Sequence, residues 1–174
     1  MENNNNNNEL NQNGAPEMVQ ESIWADGVVP QNVDDKFKFT IKELIMMAND
    51  FIEKVFMAQN GFKLEGHAAE PNALPNIIMS KDGKKYAVAV VPSVFPRGAL
   101  LRPDVKIAFY NKCKENDAIP LYTPVILASK DPVRRQAECL LKGDLLSFLW
   151  KGFIVLDDNP NQDLKDQTKM TKNI

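Results

Sequence analysis

Two short apolar runs joined by one tight turn lie near the middle of this 174-residue chain. The stretch is Pro75-Asn76-Ile77-Ile78-Met79-Ser80-Lys81-Asp82-Gly83-Lys84-Lys85-Tyr86-Ala87-Val88-Ala89-Val90-Val91. Asp-Gly between β-prone runs is a strong two-residue hairpin signal, because both turn positions need positive φ. From Ala87 the second run has no polar residue. A strand of that kind is buried on both faces, which places it at the centre of a sheet with helices above and below.

The flanking segments fit that frame. Thr40-Ile41-Lys42-Glu43 is a capping box, with Leu44, Met47, Ala48, Phe51 and Val55 following at helical spacing and Asn60-Gly61 supplying a left-handed stop. Phe62 to Ala69 reads as a first strand and Asn76 to Ser80 as a second. Lys85 to Val91 is the third, after which Pro92 to Gly98 breaks the pattern. Pro103 suits the first helical position, and Val105, Ala108, Phe109 and Cys113 make one helix face. Leu121 to Ala128 is a further strand, with Pro124 suggesting an irregular or edge start. Asp131-Pro132 opens a helix through Leu140, Asp144 to Trp150 offers one more helical turn, and Phe153 to Leu156 is a last strand. The expected fold is α/β (α+β), a single mixed sheet of about five strands with helices on both faces, in the order α-β-β-β-α-β-α-β.

Charge divides the chain. Residues 1–35 hold seven acids and no Lys or Arg, and include the run Asn3 to Asn8. Such a composition does not bury enough apolar surface to order itself, so an arm is expected there, with Ile23-Trp24 and Val28-Val29-Pro30 as a tether or a short binding segment. Residues 36–156 are the expected domain, with 18 Lys and Arg against 12 Asp and Glu, a net of +6. Residues 157–174 are expected to form a polar, flexible tail. A basic core attracts phosphate backbones, although ordinary solvated charge gives the same balance. No run of about 18 uncharged apolar residues is present, and the N-terminus has no apolar signal core, so a cytoplasmic protein without a membrane span is expected. Oligomeric state is not legible.

Two cysteines and one histidine do not make a Cys/His zinc site. Cys113 and Cys139 read as small core residues. There is no P-loop, no G-x-G-x-x-G and no G-x-S-x-G.

The element order, with its loop-Pro-strand-turn-strand centre, resembles the restriction-endonuclease-like fold of the PD-(D/E)XK nuclease superfamily over roughly residues 40–130. In that family a Pro-Asp opens the second strand, and an acid, any residue and a Lys close the third. Here Pro75 is in place, but the matching positions are Asn76, Ala89 and Val91. Mg²⁺ needs charged oxygens, and the family's metal activates water at the phosphate. Asn76 alone offers one carbonyl. The resemblance therefore implies a nuclease-like domain without catalysis, a binding or scaffold module needing no cofactor.

Other readings stay open. The acids have migrated to Glu53, Glu65 or Glu70, in which case Mg²⁺ returns. The chain binds nucleic acid, with the acidic arm competing for the basic core. Or it is a protein-interaction or immunity-type accessory module. Lys84, Lys85, Arg97, Arg102, Arg134 and Arg135 are the candidate phosphate contacts; the arginine pair lies at an expected helix N-terminus, whose amides favour anions. Each also reads as plain surface charge.

Overall fold

The hairpin is the middle of a six-stranded sheet. The structure, a computed structural model, describes residues 33–132, 135 and 140–164. The strands are β1 (Lys63–His67), β2 (Ile77–Lys81), β3 (Lys84–Val94), β4 (Ile119–Ser129), β5 (Leu146–Leu149) and β6 (Ile154–Val155). They run in the order β1-β2-β3-β4-β5, and β6 pairs with β4 alongside β5. Only β3 and β4 are parallel; every other neighbouring pair is antiparallel. Asp82 at φ 49° and Gly83 at φ 75° make the two-residue turn, closed by the pair Lys81↔Lys84.

Helix α1 (Ile41–Phe51) starts at the capping box: Glu43 N donates to Thr40 Oγ1 at 3.2 Å, and Thr40 N donates to Glu43 Oε2 at 2.7 Å. The helix widens into a π-helical segment, Ile52–Met57, and ends in a last turn, α2 (Ala58–Asn60), at Gly61 with φ 70°. Helix α3 (Pro103–Glu115) crosses the opposite face, linking the parallel pair.

Side chains alternate along β3, so the sheet feeds two cores. Val88 and Val90 pack under α1 and the π-helical segment with Ile52, Phe56, Leu121 and Phe153. Ala87 and Ala89 pack under α3 with Phe109, Cys113, Tyr122 and Ile154. The expected mixed sheet with helices on both faces is therefore present.

Three prolines lie inside strands, and hydrogen bonding shows which way each one faces. Leu127 O accepts from Phe95 N, just beyond β3, so odd-numbered residues of β4 turn their backbone groups toward β3. Pro120 and Pro124 turn the other way. Pro124 falls between Tyr122, which pairs with β6, and Ile126, which pairs with β5. Its missing N–H faces a gap, so the irregular or edge start expected at Pro124 is corrected to a position inside the central strand. In β3 the even-numbered residues face β2, because Val88 O accepts from Asn76 N. Pro92 faces that side beyond the last paired residue, Ile77↔Val88. The strand accordingly continues through Pro92 to Val94 rather than breaking there.

Two further expectations change. The helical turn expected over Asp144 to Trp150 is strand β5, because Phe148 stacks on Phe51 at 4.7 Å and draws the segment flat against the sheet edge. Packing also runs past residue 156: Leu164 is buried in the second core beside Leu156. The helix expected from Asp131 to Leu140 falls largely on residues outside those described, as do residues 1–32 of the expected arm and 165–174 of the expected tail.

Candidate functional site

Asn76, the position the nuclease resemblance would give to its first acid, is 3% exposed and uses every polar group it has. Its backbone N donates to Val88 O at 2.8 Å, and its carbonyl accepts from Ala68 N at 2.7 Å. Its side-chain Oδ1 accepts from Val90 N at 2.7 Å, and Nδ2 donates to Ala73 O at 3.2 Å. The side chain continues the ladder where β2 has run out. Ala89 is fully buried, and half-buried Val91 packs against the same second core as Leu74, Leu101 and Tyr110. Ala89 and Val91 thus present apolar side chains to the core under α3, and the polar atoms of Asn76 are taken up by the backbone around it.

The acids considered as replacements stand apart from that contact and from one another. Glu53, in the π-helical segment, meets His67 Nδ1 at 2.9 Å. Glu65 accepts from Ser80 Oγ at 2.7 Å and pairs with Lys63 at 3.2 Å. These contacts, the serine bond foremost, hold its carboxyl below the usual carboxylate range. Glu70 pairs with Lys42. Among the described residues, no three His, Cys, Asp or Glu side chains come together as metal ligands. Asn49 was not legible as a site residue. It is buried on α1, donates from Nδ2 to Ala68 O at 3.0 Å, and leaves its Oδ1 without a partner. Ala68 is thus held from both sides, by Asn49 and Asn76.

The basic candidates also separate. Lys84 and Lys85 line an open groove of about 660 Å³ at the hairpin end of the sheet, together with Lys63 and Lys81 and against Glu65 and Asp82. The registers Lys63↔Ser80 and Ser80↔Lys85 set Lys63, Ser80 and Lys85 in one row on one sheet face. Lys81 Nζ lies 5.0 Å from the Phe62 ring centroid, a cation–π distance. Lys63 is paired with Glu65, whereas Lys84 and Lys85 carry no ion pair among the described residues.

Arg97 and Arg102 lie beyond the other end of β3, about 30 Å away at the rise of an extended strand. Arg102 is paired with Asp104 at 3.1 Å. Arg135 Nε donates to Ser129 O at 3.2 Å, beyond the same end of the parallel pair. Arg134 lies outside the described residues. The five described candidates therefore do not share one surface.

A family model matches residues 42–156. The chain belongs to the family described as domain of unknown function DUF8840. The matched span opens inside α1 and closes just after β6, so the family is defined by the sheet and its two helical covers. No curated protein and no solved structure matches the chain.

Proposed function

We propose that this chain is a non-catalytic, restriction-endonuclease-like binding domain that holds a nucleic-acid backbone in the groove at its hairpin end. The observation that carries the binding half is the set of four lysines, Lys63, Lys81, Lys84 and Lys85, lining one open groove against two carboxylates. Ammonium groups on a groove wall attract phosphates without reading bases. Phe62, the aromatic ring under Lys81, is 8% exposed and offers no stacking platform, so contact through the backbone follows. The non-catalytic half is supported by Asn76, Ala89 and Val91, whose polar atoms are satisfied or absent. The nuclease-like half is supported by the Pro75-led hairpin at the centre of the sheet and by the parallel β3–β4 pair crossed by α3.

The test is fluorescence anisotropy of the full chain with labelled single- and double-stranded DNA and RNA, with gel analysis of the same samples in Mg²⁺ and Mn²⁺. Binding that weakens steeply with salt, with every strand left intact, is expected. Affinity that rises on removal of residues 1–35 would mark the acidic arm as a competitor. Absence of binding at low salt for both the full and the shortened chain rejects the groove. Metal-dependent cleavage lost in Glu65→Ala or Glu70→Ala rejects the non-catalytic reading. The alternative of a protein-interaction module draws on β5, a short uncharged edge strand flanked by Leu145 at 75% exposure, and takes precedence if no nucleic acid binds.

A further inference from the structure

Lys106 is a lysine on α3 with 1% exposure, more deeply buried than any other charged residue among those described. An ammonium is buried only where acceptors replace its water. The acceptors come from a segment 51 and 53 residues further on. Lys106 Nζ donates to Asp157 Oδ1 at 3.0 Å and to the carbonyl of Asn159.

That segment, Asp157-Asp158-Asn159-Pro160-Asn161-Gln162-Asp163, carries Asp or Asn at every second position. Loops of this spacing gather oxygens around hard cations. Here the loop is already curled by its own bonds. Asn159 N donates to Asp157 Oδ1 at 3.0 Å, Asn161 N to Asn159 Oδ1 at 2.9 Å, and Gln162 N to Asn159 O at 3.1 Å. Gln162 also anchors it to the strand before it: Asp157 N donates to its Oε1 at 3.2 Å, and its Nε2 donates to Val155 O at 2.8 Å. Leu156 and Leu164 bracket the loop, and both are buried in the core under α3.

We infer that the Lys106 ammonium is the resident cation of this loop, and that it clasps residues 157–164 as a strap over α3 and the second core. The strap and the start of α3 enclose a groove of about 620 Å³ that includes Leu101, Pro103 and Leu164. Opening the strap uncovers that apolar lining. The matched family span stops at residue 156, so the strap extends the domain by a segment that the family match does not include. The loop closes on a side chain of its own domain and requires no metal ion.

The test uses the full chain as wild type, Lys106→Met and Asp157→Asn, with limited proteolysis read by mass spectrometry and thermal melting in Ca²⁺ or in chelator. Wild type should resist cutting within 157–164 and melt identically in Ca²⁺ and chelator. Lys106→Met should be cut there about tenfold faster or more, because proteolysis follows the population of the open form. Asp157→Asn changes a half-exposed side chain, so it keeps the test open if Lys106→Met fails to fold, and it should accelerate the same cuts. Cutting at the wild-type rate in both variants overturns the clasp. So does a Ca²⁺-dependent rise in the wild-type melting temperature that Asp157→Asn abolishes, because the loop's oxygens would then be free for metal.

Discussion

The side-chain Oδ1 of Asn76 accepts the backbone N–H of Val90 across 2.7 Å. The position that the nuclease resemblance would assign to a metal-binding acid is thus occupied by a side chain acting as an extra rung of the sheet. Removing it orphans a buried donor, which carries a penalty of about 1–3 kcal/mol, beyond the cavity left behind. Asn76→Ala should therefore lower stability by about 2–4 kcal/mol in urea titrations.

Placing an acid at residue 76 should not create a nuclease. In Asn76→Asp the carboxylate still accepts from Val90, but the donor to Ala73 is lost and a charge is buried between packed strands. Lower stability and no Mg²⁺-dependent cleavage are expected. Cleavage appearing in this variant would show that residue 76 can reach a metal and a phosphate.

The two ends of β3 should behave differently toward nucleic acid. Lys84→Glu with Lys85→Glu should weaken binding about tenfold or more at low salt and flatten the salt dependence, as expected when phosphate contacts are removed. Arg97→Glu with Arg102→Glu, beyond the other end of the strand, should leave both within about twofold. Equal losses from the two pairs would place the phosphate path elsewhere.

Glu43 makes a pH-dependent contribution whose sign is fixed. Hydrogen bonds from Thr40 and then Lys142 lower its carboxyl from 4.5 to about 2. A group depressed in the folded state adds stability above its unfolded value and loses it as the pH falls through the folded one. Glu43→Gln keeps a capping-box side chain but removes the charge. Its melting temperature should lie below wild type at pH 7, and the gap should close between about pH 4.5 and 2. A gap constant over that range would assign the effect to shape.

Thr123 lies in the middle of β4 with both roles of its hydroxyl in use. It donates to Gly152 O at 2.9 Å and accepts from Trp150 Nε1 at 2.7 Å. Thr123→Val conserves volume and leaves buried Gly152 O and half-buried Trp150 Nε1 without their partner, so a loss of about 1–3 kcal/mol with reduced Trp150 order is expected by denaturation and tryptophan fluorescence.

Local signals in the sequence were read correctly where a few neighbouring residues decide the geometry. The Thr40–Glu43 box, the Gly61 stop, the Asp82-Gly83 turn and Pro103 at the head of α3 all belong to that class. The segment holding Leu145, Leu146, Phe148 and Leu149 fits both a helical and a strand period, and only the distant ring of Phe51 selects the strand. Asn76 was not legible as a ladder partner, since its acceptor role exists only once β3 lies beside it. The groove was half legible: Lys84 and Lys85 adjoin the turn, while Lys63 and Lys81 join them only through strand pairing. Lys106 gives no local sign at all, because its partner lies 51 residues away and its helical pattern reads as an exposed charge.

The placement of Pro92, Pro120 and Pro124 has a further effect on how the sheet assembles. Each ring turns away from the parallel β3–β4 pairing, and those of Pro92 and Pro124 face positions that no strand residue pairs. Sliding β4 by one residue against its neighbours would turn both of its prolines toward β3, each removing a rung from the longest pairing in the molecule, and would exchange the residues facing the two cores. The prolines thus act as keys that fit one alignment only, penalising a misaligned pairing by the rungs it would lose.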